Sequence, residues 1–245
     1  MKIFIKNIFP LTVIVSFLVL FYAGCKKDEE NTPVAHQTGM VTDIEGNVYL
    51  TIKIGDQWWM AENLRVKKYR DGTSIVDGQD SLDWVQGSGA YCFFENNHAS
   101  PGLLYNWAAV ANTSNLAPAG WHIPTDEEWK TLERTLGMSS ADADNVGWRG
   151  VDEGSKLKIA SPNGWTLYDD VWSTNESGFT ALAGSCRLFN ATFGSPGLQA
   201  TGFWWSATER LADTGWYRYL DYKSANIFRS HANKNYGFSV RCVKD

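Results

Sequence analysis

The chain has 245 residues, a net charge of −5, 12 tryptophans and 22 glycines. It becomes more acidic still if Lys2 and Lys6 leave with a leader, and no block of Lys and Arg survives. That excludes a nucleic-acid partner, because phosphate binding needs clustered cations.

Residues 1–24, MKIFIKNIFPLTVIVSFLVLFYAG, read as a targeting segment. Lys2 and Lys6 make its basic start, and Leu11 to Tyr22 is an apolar run too short for a comfortable membrane span. Ala23-Gly24-Cys25 then resembles a bacterial lipobox. Cys25 is thereby expected to be the lipidated first residue of the mature chain, with the membrane as a partner through that anchor. An ordinary signal peptide or an uncleaved anchor is the alternative. Residues 25–39 are charged and poor in apolar side chains, so they are expected to be a flexible tether. Within them Lys27-Asp28-Glu29 resembles the surface-export signal of Bacteroidetes lipoproteins, which implies an outer-membrane protein displayed at the cell surface; a plain solvated linker is the alternative. Residues 40–245 have one composition and no second linker, and read as one domain. Trp buries a large area and Gly supplies turns, so that domain is expected to be loop-rich with an aromatic core.

The domain opens on strands. Val48, Leu50, Ile52 and Ile54 alternate with Tyr49, Thr51 and Lys53, the period of a half-buried strand. Gly55-Asp56 turns the chain and Gln57 to Met60 returns, with Trp58 and Trp59 on opposite faces. Residues 65–90 are a polar, Gly-rich excursion. Leu103, Leu104, Trp107, Val110 and Ala111 have helical spacing and predict a short helix. The clearest local signal is GWHIPTDEEWKTLERTLG. Thr125 with Glu128 is a capping box, Trp129, Leu132 and Leu136 form one apolar stripe, and Gly137 ends the helix. Asp126, Glu127 and Glu128 are read as helix-capping acids rather than metal ligands. A further short helix is expected around Lys156-Leu157-Lys158.

The last thirty residues are dense in aromatics. Trp216, Arg218 and Leu220 alternate with Tyr217, Tyr219 and Asp221. Ser224-Ala225-Asn226 turns, Ile227 to Ser230 makes a second strand, and YGFSVRCV a third with Phe238, Val240 and Cys242 inward. Export permits disulfides. A Cys186–Cys242 bond would close this region into a loop, but three free thiols, Cys92 included, fit the spacing equally. No Cys/His spacing suggests zinc, and no cofactor is expected.

In order along the chain, GNVYLTIKIGDQWWMAENL, GLLYNWAAV, APAGWHIPTDEEWKTLE, NESGFTALAG, GFWWSATE and GFSVRCV resemble the Fibrobacter succinogenes major paralogous domain family. More distantly, HIPTDEEW and the terminal Gly-Phe-x-x-Arg resemble the formylglycine-generating-enzyme and sulfatase-modifying-factor superfamily. That resemblance implies an α+β, C-type-lectin-like fold: two main helices, near 103–111 and 126–136, with a loop-rich twisted antiparallel sheet. The terminal strands also look like those of the variable ligand-binding proteins of diversity-generating retroelements, which share the fold.

Three functions compete. A surface binding module comes first, for carbohydrate or another surface ligand such as a protein. Tyr offers contact area at low entropic cost, and Ser and Asn offer adaptable hydrogen bonds. Its surface would be Tyr217, Tyr219, Asp221, Tyr222, Asn226, Phe228, Ser230, Asn233 and Asn235. Alternation puts Trp216 and Leu220 inward and Tyr217 and Tyr219 outward. Arg218 inward counts against this, and a slip of one residue reverses it. On the outward assignment, Tyr219→Ala should barely change the melting temperature, whereas Trp216→Ala should unfold the domain. A structural component of the outer membrane is the second reading. An enzyme is the third and is not favoured. An oxidase resembling the formylglycine-generating enzyme would need a second cysteine near Cys242. His122 lies in a structural motif, and nothing pairs Glu62, Glu95, Glu176 or Glu209 as glycosidase carboxylates. The calcium-binding tripeptides of true C-type lectins do not occur, so no such calcium site is expected.

Overall fold

The computed structural model describes residues 36–85, 87–94, 102–160, 164–194 and 199–245. The leader, Cys25, most of the tether and Glu95 lie outside the described residues. In chain order the elements are β1 (Thr38–Thr42), β2 (Val48–Ile54), β3 (Gln57–Met60), β4 (Val76–Asp77), α1 (Ser81–Val85), β5 (Ala90–Cys92), β6 (Leu104–Asn106), α2 (Trp107–Val110), β7 (Trp121–His122), α3 (Asp126–Thr135), α4 (Ser140–Asp144), β8 (Gly147–Arg149), α5 (Glu153–Leu157), β9 (Thr201–Leu211), β10 (Thr214–Asp221), β11 (Ile227–Asn233), β12 (Gly237–Phe238) and β13 (Val243–Lys244).

Sheet dominates, helices are short, and the strands form three sheets ordered β1-β2-β3-β13-β7, β8-β11-β10-β9 and β12-β6-β5-β4. Pairing is antiparallel except between β4 and β5. The first sheet joins the two ends of the domain, because β13 lies between β3 and β7. It also takes up the chain earlier than the expected boundary at residue 40. Thr38 and Gly39 already pair with Ile52 and Thr51, so the tether ends before them.

The core is double. One cluster gathers Tyr49, Met60, Leu64, Tyr105, Trp205, Phe238, Val240 and Cys242, and a second gathers Ile52, Ile54, Trp59, Trp129, Leu132, Trp204, Leu220 and Ile227. This splits β2. Tyr49 enters the first cluster and Ile52 and Ile54 the second, while Val48 and Leu50 remain exposed. A strand serving one core keeps one apolar face; β2 changes sides midway because it borders two. The Trp204-Trp205 pair does likewise, one indole to each core.

Helix α3 forms where expected. The Glu128 N–H donates to Thr125 Oγ1 at 3.2 Å and the Thr125 N–H to Glu128 Oε2 at 2.8 Å, closing the capping box. Trp129 and Leu132 are buried, with Trp129 packed 5.0 Å from Trp59 and 5.8 Å from Phe179, ring centre to ring centre. The helix expected over 103–111 shrinks to the single turn α2. Leu104 and Tyr105 are strand, held by β5 and β12. Asn106 starts the helix instead: its Oδ1 accepts the Ala109 N–H at 3.0 Å and the Ala90 N–H at 2.9 Å.

Buried cations pin the long loops. Arg187 donates to the carbonyls of Gly78, Gln79 and Ala191, and Arg241 to those of Phe179 and Thr180 and to Asn63 Oδ1. Lys158 reaches the Asp221 and Ser224 carbonyls, each at 2.6 Å. Buried loop carbonyls lack ladder partners, and one long cationic side chain satisfies several of them. The expected third strand therefore breaks into β12 and β13. Phe238, Val240 and Cys242 are buried as anticipated, but Ser239 and Arg241 between them are buried too.

Candidate functional site

The sheet β8-β11-β10-β9 carries the site, and its two faces differ in chemistry. Trp216, Arg218 and Leu220 of β10 are buried, while Tyr217, Tyr219 and Asp221 are half-buried: the two sets alternate as expected, but Tyr217 packs against the first core rather than standing free at the surface. The inward Arg218 has its own partners. Its Nε lies 2.5 Å from Glu133 Oε1 and its Nη1 2.7 Å from Asp126 Oδ1. Arg229, opposite it on β11, grips Asp126 with Nη2 and Nε at 2.6 and 3.0 Å. Arg149 grips Glu133 at 2.6 and 2.8 Å. Burial pushes the Asp126 carboxyl up, but Arg229 and Arg218 outweigh it and hold it at about 2. Of the three capping acids, then, Glu128 caps and Glu127 pairs with Lys130 and Arg134 at the surface. Asp126 turns inward to charges that arrive from a hundred residues away.

On the other face the register lines up four aromatics, one from each strand. Trp148 stands opposite Phe228, Phe228 opposite Tyr219, and Tyr219 opposite Phe203. Ring centres are 5.2, 5.8 and 4.6 Å apart along this ladder. Phe203 stacks on Phe238 at 5.2 Å, at the edge of a cleft of about 510 Å³ lined by Phe203, Tyr217, Tyr236 and Phe238, with exposed His231 and Asn233 at its rim. Among the described residues no Asp, Glu, Lys or Arg lines this cleft. Burial raises the Tyr217 hydroxyl to about 12, so it stays a neutral donor. Burial and then Asp221 raise Tyr219, whose hydroxyl donates to Asp221 Oδ2.

Six of the nine anticipated residues come together here: Tyr217, Tyr219, Asp221, Phe228, Ser230 and Asn233. Ser230 sits across from Tyr217. Three do not. Tyr222 leaves the strand and packs 5.6 Å from Tyr168 against the second core. Asn226 spends its amide on the Gly150 carbonyl, tying down the turn. Asn235 closes the turn after β11, its N–H on Asn233 Oδ1 at 2.9 Å and its carbonyl accepting from Trp84 Nε1 at 2.7 Å. The Asn226 side chain and the Asn235 backbone thus serve turns, while Tyr222 serves packing.

The Cys186–Cys242 bond is not formed. Both are free thiols buried in the first core, as is Cys92 in a smaller cluster. Burial lifts Cys186 to about 12 and pushes Cys242 up as well. His122 lies between Asp245 (2.6 Å) and Glu128 (2.7 Å). Burial opposes its protonation, but the two carboxylates prevail and raise its pKa. It fastens the chain terminus to the start of α3. Glu62 accepts the Leu50 N–H, and Glu209 pairs with Lys234 at 2.7 Å. Among the described residues no group of three or more His, Cys, Asp or Glu side chains is arranged to hold a metal ion.

Sequence reasoning missed Trp148, Phe203, Tyr236 and His231. Phe203 had a signal, since it alternates with the inward Trp204. Trp148 had none: it stands in a Gly-rich loop segment, and only the β8–β11 pairing brings it to the face.

A family profile described as Fibrobacter succinogenes major domain matches residues 52–244, a span that contains the whole ladder and the cleft. The chain belongs to that family. Neither the curated proteins nor the solved structures give a significant match.

Proposed function

We propose that this member of the Fibrobacter succinogenes major domain family is a lipid-anchored surface module that binds an uncharged ligand, a carbohydrate foremost, on the aromatic face of its C-terminal sheet. The observation that carries the reading is the four-strand aromatic ladder running into a cleft without ionic side chains. A sugar ring presents apolar C–H faces and a rim of hydroxyls. Aromatic faces cover the former, while Tyr217, Ser230 and Asn233 offer neutral hydrogen-bonding partners to the latter. A charged ligand would lose its hydration with no opposite charge on the wall to replace it. The finer fold assignment, C-type-lectin-like, is part of this proposal, as are anchoring at Cys25, display at the outer membrane and the absence of catalysis. It is supported by the order of the sequence motifs and by α3 beside the C-terminal sheet.

One observation favours the second reading, an outer-membrane assembly component. On the β1–β2 hairpin Met40 pairs with Leu50, and both are exposed, as is Val48 next along the face. Among the described residues no strand pairs with the outer edge of β1, and an apolar hairpin of this kind suits contact with another protein.

A glycan array probed with the full chain tests the main reading, followed by calorimetry on the strongest binder. Neutral glycans should bind, and Tyr217→Ala should weaken them about tenfold or more. An array with no carbohydrate binding refutes it.

A further inference from the structure

We infer that the site is elongated, with Trp148 and Phe189 as its two outer platforms, so that the ligand is a chain of several uncharged sugar units rather than a single one. This rests on the binding reading above. A continuous row of rings runs through the site in the order Trp148, Tyr219, Phe203, Phe238, Tyr236, Phe189. Successive centres lie 5.3, 4.6, 5.2, 5.6 and 5.8 Å apart, and successive planes tilt by 14–49°, so no step is edge-on. The middle of the row is half-buried or buried, and Phe203, Phe238 and Tyr236 line the cleft. The two ends are open: Trp148 is 46% exposed and Phe189 54%.

The backbone beneath both end rings is tied into the fold. Trp148 is on β8 beside Arg149, whose guanidinium is locked to buried Glu133. Phe189 is in a tight turn closed by the Leu188 N–H to the Thr192 carbonyl at 2.7 Å and the Ala191 N–H to the Leu188 carbonyl at 2.9 Å. Arg187, at the base of that turn, donates to the Ala191 carbonyl at 3.0 Å. An aromatic on an untethered loop would lose more entropy on binding; an anchored backbone lowers that cost, which is how a binding platform gains affinity. The row also fixes the charge of the ligand. The carboxylate of Asp221 accepts from Tyr219 near the Trp148 end and would repel acidic sugars. A linear neutral polysaccharide fits both the length and the charge.

Calorimetry with size ladders of neutral glucan, mannan and xylan oligosaccharides, using the full chain, decides the matter. Affinity should rise with length. Trp148→Ala and Phe189→Ala should each weaken the longest oligomers about tenfold and leave disaccharide affinity unchanged. Trp148→Phe, which keeps a ring, should recover much of the loss, and unchanged melting temperatures would show that the variants fold. Binding that does not grow with length, or equal losses on short and long oligomers, overturns the elongated site and leaves the carbohydrate reading standing. No binding to any oligosaccharide overturns both.

Discussion

The two faces of the sheet β8-β11-β10-β9 are made from alternate residues of the same strands, yet they invert the usual rule about what goes inside. Toward the second core lie Arg218, Arg229 and Arg149, with the two carboxylates of α3. Toward the outside and the cleft lie Phe203, Tyr217, Tyr219, Phe228 and Trp148. The charged face is the sealed one because each guanidinium finds a carboxylate at hydrogen-bonding distance, and a buried charge is tolerated only on those terms. The aromatic face is only partly closed: Phe203 and Tyr217 pack against the first core, while Trp148 stands nearly half in water. Large apolar rings left at a surface signal contact with something else. Alternation in a strand therefore tells which residues share a side, and partners elsewhere in the chain decide which side is closed.

That contrast can be broken from the sealed side first. Glu133→Ala would strand Arg149 and part of Arg218 in the interior, and should cost about 3–5 kcal/mol, read as a lower urea midpoint. A variant of unchanged midpoint would mean that the cluster is not a closed ion network. Trp216→Ala removes the indole over which the Arg229 guanidinium lies at 3.8 Å, and is expected to cost about 3 kcal/mol.

Acid attacks the same face without mutation. Because Asp126 falls from its ordinary 3.8 to about 2 in the folded protein, its contribution is intact above pH 3.8 and is lost as pH drops toward 2. The loss should be roughly 2 kcal/mol. Asp126→Asn should remove that part of the acid dependence; a stability curve identical to the wild type below pH 4 would contradict it.

The outer face should respond less. Tyr219 is not the free surface residue expected from alternation, since it stacks on Phe203 at 4.6 Å and touches Trp148 and Phe228. Tyr219→Ala should therefore lower stability by about 1–2 kcal/mol, more than no change and less than Trp216→Ala. Trp148→Ala is expected to shift thermal unfolding least, by under about 1 kcal/mol, because nearly half of its surface is already in water. Should Trp148→Ala destabilise as strongly as Trp216→Ala, the two faces would not differ in kind.

Several features were legible in the sequence because their causes are local. The Thr125–Glu128 capping box starts α3 using groups three residues apart. The alternation of β10 sorted Trp216 and Leu220 from Tyr217 and Tyr219 correctly. The motif order identified the family. Local rules failed where distant partners intervene. The apolar spacing of 103–111 looked helical, but β5 and β12 claim Leu104 and Tyr105 and leave one turn. The apolar set of β2 was divided between two cores, which no single strand can announce.

The sequence by itself determined the family, the sheet-rich α+β character, the capped helix and the facing of the terminal strand, since each depends on neighbours along the chain or on motif order. Only the tertiary structure decided which partners make an inward Arg218 tolerable, that Trp148 joins Phe228 and Tyr219 on one face, and that Asn226 serves a turn. The first and last depend on Glu133, Asp126 and Gly150, which lie seventy or more residues from the groups they meet, and the second on the β8–β11 pairing. Hydrogen bonds and ion pairs are won by proximity in space, and strand register is what sets that proximity.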